Sequence, residues 1–295
     1  MISTIGLTKR YGDVTALDDV NLAVPAGSVF GLLGPNGAGK TTMIRLLLGL
    51  ALPTAGTATI AGLDPWRDIV ELHRRIAFVP GEAELWPQLT GGEVIDLLGH
   101  LQGGLDAGRR ADLIERFGLD PSKRCRTYSK GNRQKVLLIA ALAQPAELLI
   151  LDEPTSGLDP LMEVEFRAVI ADVAAQGTTV LLSSHILSEV QALCAQVGIL
   201  RAGRLIEVAT LAELRRLDVV EFQIGYSGTA PTFDGLAGVE HVDHSVAGRV
   251  HVSYRGDLNA LLARLAAVDV VSLDIREPDL EDIFLRFYTD GSGAK

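Results

Sequence analysis

"LGPNGAGKTTMIRLLLGL", residues 33–50, places flexible residues directly before an apolar helix, with one lysine at the junction. Residues 34–41 fit G-x-x-x-x-G-K-[ST]. A glycine-rich turn leaves its backbone N–H groups free to converge on an anion. The helix behind it adds unpaired N–H groups and the positive end of its dipole. On this reading Asn36, Gly37, Ala38 and Gly39 wrap a polyphosphate, and Lys40 reaches its terminal groups. The Thr41 hydroxyl ligates magnesium, and Thr42 completes the first turn. "GSVFGLLG", residues 27–34, reads as a buried strand, so the required strand–loop–helix context is present. An ordinary strand-to-helix turn is the alternative, and both the eight-position pattern and its context weigh against it.

Outward from this loop, four more stretches carry chemistry. "LLILDEP", residues 148–154, ends an apolar strand in two acids. In an open parallel sheet, ligands bind beyond the carboxyl ends of strands, which brings both acids towards the loop. Asp152 would hold magnesium through water, and Glu153 would orient and deprotonate an attacking water; two acids that merely cap the next turn are the alternative. "TTVLLSSHILSEV", residues 178–190, ends another strand at His185, whose imidazole can donate to a γ-phosphate; a satisfied histidine at a helix start is the alternative. "TYSKGNRQK", residues 127–135, puts Ser129 and Gly131 before a helix, a second anion-binding N-terminus. One nucleotide does not easily engage two distant termini of one chain. A symmetric dimer solves this, each serine–glycine turn facing the other chain's loop; a plain helix capped by Ser129 is the alternative. In "TSGLDP", residues 155–160, Asp159 is placed to bridge to the partner's loop. Tyr11 offers a ring for adenine, stacking being worth about 1–3 kcal/mol per base; a core or edge tyrosine is the alternative.

Composition limits what surrounds these motifs. The 295 residues suggest about two domains. With 47% hydrophobic and 22% charged residues, the chain packs a core without disulfides. Cys125 and Cys194 are its two cysteines, far apart and with no histidine cluster, so neither a disulfide framework nor structural zinc is expected. A net charge of −10 argues against a broad basic surface, and no nucleic acid is expected as partner. No uninterrupted run of about 20 apolar residues predicts a membrane span. "VLLIAALAQPAELLIL", residues 136–151, is broken by Gln144, Pro145 and Glu147 and reads as a helix followed by a strand.

Along the chain, strands to about residue 27 precede the loop, and strands over 56–64 and 74–80 follow its helix. From about 89 to 129 the pattern is helical, predicting an inserted subdomain. Strands then alternate with helices to about residue 217, which implies a mostly parallel sheet covered on both faces. The remainder, 218–295, reads as a small α+β domain: strands near 219–226, 239–245 and 249–254, a helix over 258–267, and a strand over 270–276. A last helix over 280–288 follows Pro278 and Asp279.

In this order the motifs resemble the ATP-binding subunit of an ABC transporter. Tyr11 matches the adenine-stacking loop, residues 34–42 Walker A, and "YSKGN" (128–132) the signature turn. "LLILDEP" matches Walker B, "SGLDP" (156–160) the D-loop, and His185 the switch histidine. The tail "REPDLEDIFLRF", residues 276–287, is similar to the extension of bacterial drug- and antibiotic-export ATPases of the daunorubicin-exporter type. The resemblance implies an α/β fold: a P-loop ATPase core with antiparallel N-terminal strands, an inserted helical subdomain and a small α+β C-terminal domain. It implies ATP and magnesium as cofactors and a second copy of the chain as partner. A separate transmembrane permease follows too, holding the chain at the cytoplasmic face of the membrane. Ser129, Lys130, Gly131 and Asp159 then contact ATP in trans. Two departures stand out. The Q-loop glutamine position holds Gly81, with Glu82 one place on, and glycine has no side chain to ligate magnesium. The signature turn has Lys130 where glycine is usual, a charge for a γ-phosphate or for solvent. A related ATPase acting on ribosomes or nucleic acid, and a nucleotide-binding scaffold without turnover, are the competing readings.

Overall fold

In the computed structural model, residues 1–216 and 220–276 are described. Packing divides the chain into two units, Met1–Ala209 and Thr210–Lys295. The expected helix over 280–288, with Pro278 and Asp279, lies outside the described residues.

The first unit opens with β1 (Ile2–Tyr11) and β2 (Val14–Val24), an antiparallel pair turning at residues 12–13. Alternate residues of β2 are buried near its end, as a strand with one wet face requires. Next come β3 (Val29–Leu33), α1 (Lys40–Leu47) and β4 (Ala55–Ile60). The last pairs with β1, giving a three-stranded sheet in the order β2-β1-β4. After α2 (Ile69–His73) and β5 (Ile76–Val79) the chain becomes helical. Here α3 (Gly91–Leu101) starts at a capping box between Thr90 and Glu93, and α4 (Ala107–Arg116) starts at Asp106. Arg110 pairs with Asp96 at 2.6 Å and ties the two helices together.

The α/β alternation resumes with α5 (Lys130–Leu142), β6 (Leu148–Asp152), α6 (Pro160–Ala175), β7 (Thr179–Ser184) and α7 (Leu187–Leu193). β8 (Gln196–Arg201) and β9 (Arg204–Thr210) close the unit. A six-stranded sheet runs β5-β6-β7-β3-β8-β9, with β5, β6, β7, β3 and β8 parallel to one another. Every residue of β3, β6 and β7 is buried, which explains why "VFGLL", "LLILD" and "TVLLSS" are apolar runs rather than alternating patterns. Each large apolar side chain buried there contributes about 1.5–3 kcal/mol. That margin lets the sheet carry the charged and strained residues at its carboxyl edge.

In the second unit α8 (Leu211–Arg216) leads to β10 (Val220–Ser227), β11 (Val239–Asp243), β12 (Arg249–Tyr254), α9 (Leu258–Leu265) and β13 (Asp269–Arg276). Its antiparallel sheet has the order β11-β12-β10-β13. Phe222, Ile224, Val250, Val252, Tyr254, Leu261 and Leu265 form a separate core. Two short helices, α2 and α8, were not expected from the sequence; five or six residues are too few to display a 3.6-residue period.

Candidate functional site

Three neighbouring strand ends build the site. β6, β7 and β3 lie side by side and parallel, so their carboxyl ends open on one edge of the sheet. Beyond the strands, the Gly34 N–H donates to the Ser184 carbonyl at 3.3 Å and the Glu153 N–H to the Ser183 carbonyl at 3.0 Å. These bonds fix the three chain exits against one another.

After β3 the chain wraps through residues 34–39 into α1. Gly39 is the N-cap with φ of 111°, a conformation glycine adopts without a steric penalty. A Cβ there would stand 2.7 Å from the Ala16 carbonyl oxygen, so the position is also too tight for a side chain. No side chain caps α1, and its first turn holds no acid. By contrast α3, α5 and α6 are capped by Thr90, Ser129 and Asp159. The first N–H groups of α1 are left for an external acceptor, and the helix dipole favours an anion. Asn36, Gly37 and Thr41 are exposed, Thr42 is half-buried, and Ala38 is buried beneath the loop.

Lys40 is only 5% exposed. Its Nζ donates to the Gly34 carbonyl at 2.6 Å and the Pro35 carbonyl at 3.3 Å, and lies 3.5 Å from Glu153 Oε1. Burial pushes the ammonium's pKa down, against the opposing pull of Glu153 and Asp152. A cation held out of water this way is short of negative charge, which a polyphosphate supplies. The Thr41 hydroxyl donates to Asp152 Oδ2 at 3.0 Å, while the Ser183 hydroxyl donates to Asp152 Oδ1. This hydroxyl–carboxylate pair is an all-oxygen donor set, suited to a hard cation. Among the described residues no three His, Cys, Asp or Glu side chains gather into a metal cage.

Glu153 follows directly. It is a non-glycine residue with φ of 47°, a conformation that costs about 1–3 kcal/mol and is held by its surroundings. Its Oε1 lies 3.2 Å from His185 Nδ1, and the imidazole is 45% exposed. Residue 81, past the end of β5, backs onto this exit: a Cβ on Gly81 would stand 3.1 Å from the Asp152 carbonyl oxygen. Glu82 is exposed. Tyr11 is 46% exposed at the end of β1, with Lys9 Nζ 4.7 Å above its ring, and pairs with Val14 at the start of β2. The same β2 passes Ala16 alongside Gly39.

The remaining expected residues form a second cluster. Ser129 accepts the Asn132 N–H at 3.3 Å and Asp159 accepts the Met162 N–H at 3.0 Å, each capping its own helix. Lys130 is exposed, and its Nζ donates to the Ser156 hydroxyl at 2.7 Å. A Cβ on Gly131 would meet the Gly157 carbonyl oxygen at 2.4 Å, so these two turns touch backbone to backbone. Among the described residues, no hydrogen bond joins this cluster to the loop over 34–41. Sequence reasoning quoted Ser156 only within the D-loop match and missed Ser183, Ser184 and Glu189. Nothing local marks these three, because each finds its partner only once β6, β7 and α7 are assembled.

The family model described as "ABC transporter" matches residues 17–156. The daunorubicin resistance ATP-binding protein DrrA3 of Streptomyces coeruleorubidus is 36% identical, over 100% of this chain and 98% of that protein. The bacitracin transport ATP-binding protein BcrA of Enterococcus faecalis is 32% identical over the same shares, 100% and 98%. A solved structure described as the ATP binding subunit of an ABC transporter aligns with a TM-score of 0.68 at 31% identity, covering 74% of this chain and 92% of that one.

Proposed function

The chain belongs to the ATP-binding subunits of ABC transporters, and from that premise we propose that it powers export of a drug, antibiotic or other apolar small molecule through a separate permease. It binds nucleotide and hydrolyses ATP. Two copies sandwich two ATP molecules. Residues 36–42 grip the phosphates from one side, with Lys40 neutralising their charge and Tyr11 stacking on adenine. Ser129, Lys130, Gly131 and Asp159 of the other copy close the sandwich. Thr41, and Asp152 through water, would hold magnesium, which neutralises charge on the β- and γ-phosphates.

For hydrolysis, Glu153 takes a proton from the water that attacks the γ-phosphate, and His185 donates a hydrogen bond to that phosphate. Gly81 leaves the usual Q-loop glutamine without a side-chain counterpart; Glu82, one place on, is the nearest acid in that segment. The supporting observation is Glu153 itself, 3.5 Å from a buried ammonium and 3.2 Å from an imidazole, beside the Thr41–Asp152 pair. Export is extended to this chain from the names of its relatives, which concern daunorubicin resistance and bacitracin transport. In this reading the permease is a separate chain that holds this one at the cytoplasmic face; among the described residues no helix is long and apolar enough to cross a membrane. Action on ribosomes or nucleic acid is not favoured by the relatives or by a net charge of −10.

The test is capture of the tagged full-length chain from detergent-solubilised membranes of its native host. A polytopic membrane protein is expected to co-purify, and vesicles holding the pair should move an apolar drug when ATP is added. Ribosomes or DNA in place of a membrane protein would overturn the reading.

A further inference from the structure

Beside the phosphate loop lies a set of polar bonds that none of these roles uses. The Glu189 carboxylate, in the first turn of α7, accepts the Thr155 hydroxyl on one oxygen and the Ser184 hydroxyl, at 2.6 Å, on the other. Both hydroxyl residues are buried, Thr155 at 8% and Ser184 at 1% exposure. Ser184 Oγ also accepts the Ile186 N–H at 2.9 Å, so His185 is bracketed by two anchored neighbours. On the other side, Thr155 stands two residues beyond Glu153. The turn there is tightened by the Ser156 N–H on the Glu153 carbonyl at 3.1 Å and the Leu158 N–H on the Thr155 carbonyl at 2.9 Å, and it leads to Asp159. One carboxylate therefore grips both exits, the β6 exit that carries Glu153 and the β7 exit that carries His185. Between them opens a cavity of about 260 Å³, lined in part by Glu153, Ser156, His185 and Glu189.

We propose that Glu189 is a positioning residue for ATP hydrolysis, strapping the 153–159 stretch to His185 so that the carboxylate and the imidazole stay in working register. The inference rests on the roles proposed above for Glu153 and His185. It adds a route between the two: a partner pressing on Asp159 displaces Thr155, and Glu189 passes that displacement to Ser184 and His185. A purely structural role would instead come from the negative charge of Glu189 near the α7 N-terminus. Glutamine separates the two. It removes the charge, yet its Oε1 accepts from Thr155 while its Nε2 donates to Ser184 Oγ, so the strap survives.

The experiment uses the full-length chain and follows phosphate release, ATP binding and thermal unfolding together. Glu189→Ala is expected to lower kcat about 10- to 100-fold, the scale of a misplaced catalytic group. Affinity for ATP should hold within about twofold, because the phosphate grip is untouched. Glu189→Gln should recover most of the rate. Thr155→Val, close in shape and lacking only the hydroxyl, should show part of the loss, and adding it to Glu189→Ala should cost nothing further, as expected of partners in one bond. Should Glu189→Ala not fold, Thr155→Val and Glu189→Gln carry the comparison. The inference is overturned by a wild-type rate in Glu189→Ala or Thr155→Val, by affinity falling in step with rate, or by Glu189→Gln being as slow as Glu189→Ala. Glu153→Gln is run alongside. Normal turnover in that variant sinks the assignment of the base, whereas normal turnover in Glu189→Ala alone sinks only the strap.

Discussion

Replacing Glu153 by glutamine is expected to lower the rate of phosphate release by about 10²- to 10⁴-fold, the range that a positioned general base contributes. The two side chains have the same shape, so the left-handed backbone at residue 153 and its N–H bond to the Ser183 carbonyl need not change. Basicity is what disappears: a neutral amide does not take a proton from water. The contacts with His185 and Lys40 persist in weaker form, since the amide oxygen occupies the place of Oε1. ATP should therefore still bind and the closed pair should still form, but without the step that reopens it. A magnesium–ATP mixture of the variant, passed over a sizing column with light scattering, should show a dimer that the wild type holds only transiently. Turnover within about threefold of wild type would show that another group moves the proton.

The second large effect belongs to Lys40. Lys40→Met keeps the apolar stem that fills the space under the loop and removes the ammonium. ATP affinity should fall at least about tenfold, equivalent to about 1.4 kcal/mol. The protein without ATP should hold its melting temperature within a few degrees. The asymmetry follows from the site's electrostatics. Burial disfavours the charged lysine in the folded chain, so folding gains little from it. The charge is of use only when a polyphosphate arrives. Equilibrium binding of a fluorescent ATP analogue and a thermal melt, run on the same preparation, read both halves. Unchanged affinity would remove Lys40 from the phosphate grip, and a collapse of the melting temperature would make it a structural residue.

The features most visible in the sequence were those fixed by backbone demands over a few residues. The loop over 34–41 could be read because glycine alone suits the N-cap conformation at 39 and a lysine alone suits the junction. Asp152 and Glu153 could be read because an apolar run that stops at two acids, paired with the phosphate loop upstream, fits the end of a buried strand at the site. The charged and glycine members of both clusters were thus in view, while Ser183, Ser184, Glu189 and the pairings were not. That Ser183 braces Asp152, and that Glu189 grips Thr155 and Ser184, depend on β7 lying beside β6, and that Lys130 reaches Ser156 depends on how the start of α5 meets the turn after β6. Strand order is a long-range property, and it leaves no local mark on "LLILDEP" or "TTVLLSSH". The same holds in the second unit, where the strands themselves were legible but the order β11-β12-β10-β13 was not.

The central claim is that each triphosphate is held between the loop of one copy and the serine–glycine turn of another. Both native thiols are buried, and burial pushes Cys194 up to about 12, so introduced cysteines can be read almost alone. Asn36 and Lys130 are exposed on the loop and on the turn. The chain carrying Asn36→Cys, Lys130→Cys and Glu153→Gln is treated with a short bifunctional maleimide, with and without magnesium–ATP, and run on a denaturing gel. A covalent dimer that forms only with ATP is the predicted result. A linkage within one chain, or no linkage with ATP bound, would contradict it.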